Sequence, residues 1–307
     1  MKPTVSINMC VLNGENYIRE ALESIVAQTY NDWELIIIND GSSDSTESII
    51  LEFKNKGYPI IYQYQENKGL GASRNEALKL SHGEYIAFID HDDIWFPEKL
   101  EKQVPLFKKK PEVGLVFSDT IFFNYRGDQL QLYKKYKPPR GNVFKELLTN
   151  YFLSLETVVI RKKSLDAMDQ WFDDRFNLTE EGDFFRRLAY DWELDYVDEP
   201  LAKYRRHNES LSFKRQDLWP KETEIMVEKF CNLFDSFEEV YKHELHILRS
   251  RINYHYAMHN WEQGNGWEAR KLLKEYLKID KKYLFVYLIS LLPYVIFKKL
   301  IEHRRRF

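Results

Sequence analysis

Residues Phe88 to Asp93 read F-I-D-H-D-D and follow directly on a short apolar run, Tyr85 to Ile89. Several carboxylates are thereby set at the end of a strand with buried character. Carboxylates repel one another and are costly to desolvate, so such a cluster needs a compensating partner. A divalent cation carrying a phosphate-bearing ligand is one, and hard oxygen donors select Mg²⁺ or Mn²⁺. A solvated Asp-rich turn is the plainer alternative. A second acidic group, E-E-G-D at Glu180, Glu181 and Asp183, opens a helical stretch. Neighbouring carboxylates raise one another's proton affinity, and the plain reading is first-turn acids facing a helix dipole. A third group, Arg205-Arg206-His207, follows a strand-like segment.

The elements around these groups alternate. Val5 to Leu12 is an apolar run rich in strand formers, broken by Asn13-Gly14, and Tyr17, Ala21, Leu22, Ile25 and Val26 recur at helical spacing after it. Glu34 to Ile38, Ile60 to Tyr64 and Glu84 to Ile89 read as further strands. Ser45 or Thr46 starts a helix, with Ile49, Ile50 and Phe53 on its inner face, and Arg74 to Leu80 forms another. Continuous apolar strands separated by helices predict a parallel sheet covered on both faces, with ligands at the carboxyl ends of its strands. Those ends carry Asn13, Asp40 and Asp90 to Asp93.

The second half is less regular. Val113 to Phe117, Val158 to Ile160 and Tyr196 to Arg206 are strand-like, Glu180 to Ala189 enters a helix, and Tyr133 to Arg140 reads as an exposed basic loop. Beyond about residue 215 long helical periodicity takes over, in Glu222 to Phe237, Tyr241 to His259 and Trp267 to Leu277. This divides the chain into a domain at 1–216, a helical extension at 217–280 and a tail at 281–307.

The chain of 307 residues is 44% hydrophobic, enough for a substantial core. A net charge of −3 gives no reason to propose nucleic acid as partner. The high aromatic content suits sugars and nucleobases, and equally an ordinary core. Cys10 and Cys231 make no metal spacing and read as inert thiols in a reducing compartment. The N-terminus enters a strand pattern at once, without a signal peptide, so the expected location is the cytoplasm.

Five segments occur in order: V-S-I-N-M-C-V-L-N with E-A-L-E-S-I-V-A-Q-T-Y, then E-L-I-I-I-N-D-G-S-S-D-S-T, E-N-K-G-L-G-A-S-R-N-E-A-L, G-E-Y-I-A-F-I-D-H-D-D-I-W, and D-E-P-L-A-K-Y-R-R-H. By these the chain, over about residues 4 to 210, resembles the family 2 glycosyltransferases. These are inverting enzymes that use nucleotide-diphosphate sugars. The resemblance implies the GT-A fold, a Rossmann-like, mostly parallel α/β sheet flanked by helices, here with a helical C-terminal extension. It implies that Cys10 to Asn13 border the nucleobase, although Leu12 stands where the family often has a stacking tyrosine. Asp40 would bond base or ribose, or else cap the helix a few residues on; Asn67 and Arg74 would face the nucleotide. Asp90-His91-Asp92 matches the family's D-x-D motif. Asp92 would ligate the metal, Asp90 would reach the ribose or the metal through water, and Asp93 would lie behind them. Glu181 falls where the family has a catalytic Asp, one methylene longer, with Asp183 as the fallback base. Arg205, Arg206 and His207 would lie near the diphosphate, His207 touching phosphate or metal.

Tyr283 to Phe297 carries no charge and is flanked by Lys281, Lys282, Lys298, Lys299 and Arg304 to Arg306. A bilayer-crossing helix needs about 20 apolar residues. This run is shorter and holds Pro293, so the expectation is a helix in the membrane interface with its basic flanks on anionic lipid. The alternative is a buried helix. The expected function is metal-dependent inverting transfer of a sugar, most readily from a UDP donor, to a glycan or lipid-linked glycan in bacterial surface polysaccharide synthesis. The seat would be peripheral, on the inner face of the cell membrane. The competing readings are a polyprenyl-phosphate sugar transferase and a non-catalytic nucleotide-sugar-binding scaffold.

Overall fold

The architecture is that of a computed structural model, which describes residues 2–298 apart from the side chains at 212 and 213. The chain divides after Lys214 into two compact units; the change of periodicity put the boundary two residues later.

The first unit is built on a sheet of nine strands among the described residues. They are β1 (Val5–Val11), β2 (Trp33–Asn39), β3 (Ile60–Tyr64), β4 (Tyr85–Phe88), β5 (Ile94–Trp95), β6 (Val113–Asn124), β7 (Gly127–Gln131), β8 (Val159–Arg161) and β9 (Glu193–Arg205). Helices α1 (Ile18–Val26), α2 (Thr46–Asn55), α3 (Leu70–Leu80), α4 (Lys99–Lys109), α5 (Phe144–Thr149), α6 (Glu180–Asp191) and α7 (Leu211–Lys214) join and flank them. The order is β3-β2-β1-β4-β8-β6-β9-β5, with β7 paired to β6. The four N-terminal strands are parallel, as the continuous buried runs of β1, β2 and β4 require, with β3 at the partly exposed edge. Past β4 the sheet is mixed: β8 runs antiparallel to both β4 and β6, and β9 returns parallel to β6. β6 is 12 residues long, well beyond the apolar run visible at Val113 to Phe117, because pairing with β9 carries it on.

Two cores cover the two faces. One gathers Ile7, Met9, Ile18, Leu22, Ile37 and Phe53 with Trp95 and Phe107. The other gathers Ile86, Phe88, Phe117, Phe172, Phe184 and Phe185. The basic loop departs from its sequence reading at one end. Tyr133 is buried, its hydroxyl donating to the Phe152 carbonyl, while Lys137 and Arg140 are paired with Asp198 and Asp195.

The second unit is helical: α8 (Trp219–Leu233), α9 (Phe237–Val240), α10 (Lys242–Glu262), α11 (Gly266–Leu273) and α12 (Lys281–Ile289). The apolar tail is interrupted at Ser290 to Pro293. The breaks have identifiable partners: Arg270 donates to the Ser290 carbonyl at 2.6 Å and Trp261 Nε1 to the Leu292 carbonyl at 2.8 Å. Tyr283 and Val286 of α12 are buried with Ala257, Trp261 and Leu273, whereas Leu284, Phe285, Leu288, Leu291, Val295 and Ile296 are exposed. One side of α12 is thus packed on the helical unit, and the apolar residues of its other side are exposed. No helix among the described residues is long and apolar enough to cross a membrane. Lys299 and Arg304 to Arg306 lie outside the described residues.

Candidate active site

In the parallel half of the sheet the connections lead to β2 and β3 on one side of β1 and to β4 on the other. The strand order therefore reverses beside β1, where an open α/β sheet leaves a crevice at its carboxyl edge. The ends of β2, β1 and β4 deliver Asp40, Asn13 and Asp90 to that edge. Asn13 adopts φ 53°, a left-handed turn that asparagine tolerates. Its backbone N–H donates to Ser42 Oγ at 2.9 Å, and its Oδ1 accepts from Ser43 N at 2.9 Å, joining the loops after β1 and β2. A Cβ on Gly14 would stand 2.6 Å from His91 Cδ2, so only glycine lets this loop approach the D-H-D turn.

Asp40 is buried and engaged. Its Oδ1 accepts from Gln65 Nε2 at 2.7 Å and Lys68 N at 2.9 Å, and its Oδ2 accepts from Gly69 N at 2.9 Å. It therefore secures the turn into α3, not the start of α2 that sequence proximity suggested. Asn67, on that turn, is exposed. Leu12 is 42% exposed at the open end of β1, while Cys10 packs among Ile36, Ile38 and Ala77. Burial pushes the Cys10 thiol up to about 12, which removes thiolate chemistry.

The oxygens of Asp90, Asp92 and Asp93 lie within 4.8 Å of one another. Burial raises Asp92, but the hydrogen bond with His207 Nε2 (2.7 Å) and the charges of His91 and His207 outweigh it and hold the carboxyl low. Asp90 is raised by burial against the opposing Arg74. Asp93 is raised furthest, by burial and then by Glu156, a buried carboxylate that sequence reading passed over. Asp93 Oδ1 accepts from Arg205 N at 2.8 Å, and its buried Oδ2 has no hydrogen-bond partner among the described residues. Three clustered oxygen donors, one with an unanswered buried atom, fit a hard divalent cation. His207 packs at a tilt of 40° against Tyr17 with ring centroids 4.6 Å apart, and Arg205 donates from Nε to the Asp92 carbonyl at 2.8 Å. Tyr17 carried no signal in the sequence beyond its helical spacing. Arg206 is exposed beside Phe122.

The first turn of α6 faces this cluster through Arg74. Arg74 is not at the surface: at 4% exposure it donates to Glu180 from Nη1 and to Asp90 Oδ1 from Nη2 at 3.2 Å. Asp183 is fully buried and gripped by Arg187 at 3.0 and 2.6 Å. Glu181 differs from both. It is half-buried, and its carboxylate has no hydrogen bond or ion pair at contact distance with another described residue. Burial raises its carboxyl to about 8; Arg74 opposes the rise, and Glu180, Asp90 and Glu156 add to it. Of the three acids, Glu181 alone is both unengaged and strongly basic.

A family model described as glycosyl transferase family 2 matches residues 6–168. The uncharacterized glycosyltransferase MJ1057 of Methanocaldococcus jannaschii is 34% identical over 229 residues, 71% of this chain and 77% of that one. The Escherichia coli UDP-Glc:alpha-D-GlcNAc-diphosphoundecaprenol beta-1,3-glucosyltransferase WfgD is 33% identical over 162 residues, 53% of this chain and 62% of its own length. Among solved structures, S. aureus TarS 1-349 in complex with UDP-GlcNAc superposes with a TM-score of 0.66 over 91% of this chain and 82% of that one, at 20% identity. The mannosyltransferase PcManGT from Pyrobaculum calidifontis, in complex with GDP-Man and Mn²⁺, gives 0.60 at 14% identity over 94% and 84% of the two chains. The fold is therefore that of the GT-A glycosyltransferases. By the family model and the relative from M. jannaschii, the chain belongs to glycosyl transferase family 2.

Proposed function

We propose that this glycosyltransferase transfers a sugar, with inversion, from a UDP-sugar to a glycan or lipid-linked glycan acceptor in the synthesis of a surface polysaccharide, and that Glu181 is its base. The observation that carries the reading is the unengaged, basic carboxylate of Glu181 beside two neighbours held by arginines. In the reaction the acceptor hydroxyl oxygen bonds to the anomeric carbon on the face opposite the diphosphate. The anomeric C–O bond breaks with its electron pair passing to the nucleoside diphosphate, and the hydroxyl proton passes to a Glu181 carboxylate oxygen. Glu180 acts as the anchor of Arg74. Asp92, Asp90 and His207 are assigned to a bound Mg²⁺ or Mn²⁺, with Asp93 behind them. When bound, that ion neutralises the charge developing on the leaving diphosphate. Cys10, Leu12, Asp40, Asn67 and Arg74 are assigned to the nucleotide side, Cys10 and Asp40 through the shape of the crevice more than by free polar atoms.

A UDP donor is supported by WfgD, whose name specifies UDP-Glc, and by TarS, solved with UDP-GlcNAc. Polysaccharide synthesis is supported by WfgD and by the Bacillus subtilis TuaG, named a putative teichuronic acid biosynthesis glycosyltransferase. The exposed apolar side of 284–296 and the flanking lysines support a peripheral seat on an anionic membrane, where lipid-linked acceptors reside.

Thermal-shift measurements with UDP-glucose, UDP-GlcNAc and GDP-mannose, each with Mn²⁺ and with EDTA, test the reading, because ligand bound to the native state raises apparent stability. The expected result is stabilisation by a UDP-sugar that EDTA abolishes and that Asp92→Ala loses. Equal stabilisation in EDTA, or none by any UDP-sugar, would overturn it.

A further inference from the structure

Asn75 stands in the segment A-S-R-N-E-A-L beside Arg74. It lies on α3, and its side chain meets the segment that leads into α6. Its Nδ2 donates to the Phe172 carbonyl at 2.8 Å and its Oδ1 accepts from Phe172 N at 2.9 Å. One side chain thus satisfies both backbone polar groups of a residue that belongs to no helix or strand, as a neighbouring strand would.

Phe172 is fully buried, and its ring has two further contacts. It stacks on Phe184 of α6 at 4.3 Å between centroids, three residues beyond Glu181. Its face also lies 5.5 Å beneath the guanidinium of Arg74. The same stretch is held from the other side by Arg187 of α6, which donates to the Gln170 and Trp171 carbonyls. The approach to α3 is close: a Cβ on Gly71 would be 3.2 Å from the Asp173 carbonyl oxygen. The segment is therefore clamped between α3, which carries Arg74, and α6, which carries Glu180 and Glu181.

We propose that Asn75 is a positioning residue: its paired hydrogen bonds to Phe172 set the place of Glu181 relative to Arg74 and the D-H-D turn. The inference deepens the assignment of Glu181 as base and rests on it. Asn75 touches neither donor nor acceptor. Its effect therefore falls on the chemical step, where a misplacement of about 1 Å costs on the order of 100-fold, and leaves donor affinity alone.

The test is a double-mutant cycle in the full chain, Asn75→Ala, Glu181→Gln and both together. It reads UDP release from UDP-glucose or UDP-GlcNAc, whichever stabilises the wild type, with a membrane extract as acceptor source. Lys79→Ala, exposed on the same helix, is the control. The expected result for Asn75→Ala is a kcat reduced about 100-fold with donor KM within about 3-fold, in a protein whose circular dichroism is native. In the double variant the loss should not exceed that of Glu181→Gln alone, because the two act as a unit. Asn75→Asp keeps the acceptor but not the donor, and should fall between wild type and Ala. Asn75→Ala with wild-type kcat, or with a loss that adds in full to that of Glu181→Gln, would overturn the positioning role while leaving the base assignment standing. Glu181→Gln with wild-type kcat would overturn the base assignment and the inference with it.

Discussion

A carboxylate raised to about 8 is mostly protonated at neutral pH, and a protonated Glu181 cannot accept the acceptor's proton. At pH 7 about one-tenth of the molecules hold the ionised form, and at pH 6 about one-hundredth. The value of kcat/KM, which reports the free enzyme, should therefore climb about tenfold per pH unit from 6 and level off above 8. Initial rates of UDP release between pH 5.5 and 9.5 measure it. In Glu181→Gln the residual rate should be lower by about 10²–10⁴-fold and should lose this limb. The same group carries a stability signature of opposite sense. Its folded-state value exceeds the ordinary 4.5 of a glutamate, so the native state holds the proton more tightly than the unfolded chain. Native stability then falls as pH rises from about 4.5 to about 8 and is constant beyond. Glutamine mimics the protonated form, so the stability advantage of Glu181→Gln should grow across that window. A flat kcat/KM profile between pH 6 and 8, or a limb that persists in Glu181→Gln, would refute the reasoning.

Three further outcomes follow from the packing. Arg74→Met leaves Glu180 and Asp90 without their shared cation in a buried setting and should cost about 3–5 kcal/mol, read from urea melts. Lys99 is fully buried, and burial lowers it to about 7 against the attraction of Glu156. The native state thus binds fewer protons than the unfolded chain between about 7 and 10.5, where stability rises with pH. Lys99→Met should be the more stable protein below pH 7, with the difference closing towards pH 10.5 in thermal melts. Leu288→Glu with Leu291→Glu alters only exposed positions of the tail and should abolish co-sedimentation with vesicles containing phosphatidylglycerol while leaving the melting temperature unchanged.

Much of the first unit was legible because its strands are local in character. Val5 to Val11 and Trp33 to Asn39 are continuous buried runs, Ile60 to Tyr64 is a partly exposed edge strand, and the observed strands match their sequence reading to within a residue or two. The helix α3 begins at Leu70, four residues earlier than its apolar pattern showed, since Asp40 secures its first turn from 29 residues away in sequence. The antiparallel return of β8 and the full length of β6 carry no local period; they follow from which edges remain to be paired. The tail shows the same limit. Its apolar composition is plain in the sequence, but which of its faces Trp261 and Leu273 cover is a matter of packing.

The sequence by itself determined that carboxylates would gather at the end of β4 and at the start of α6, because residue type, strand end and helix start are properties of short segments. Only the tertiary structure decided which carboxylate is available. Arg74 engages Glu180, Arg187 engages Asp183, and Glu181 is left half-buried without a partner. The contact from Arg74 to Glu180 spans 106 residues, and the proton affinity of a carboxylate is set by burial and by charges that the fold alone brings near it.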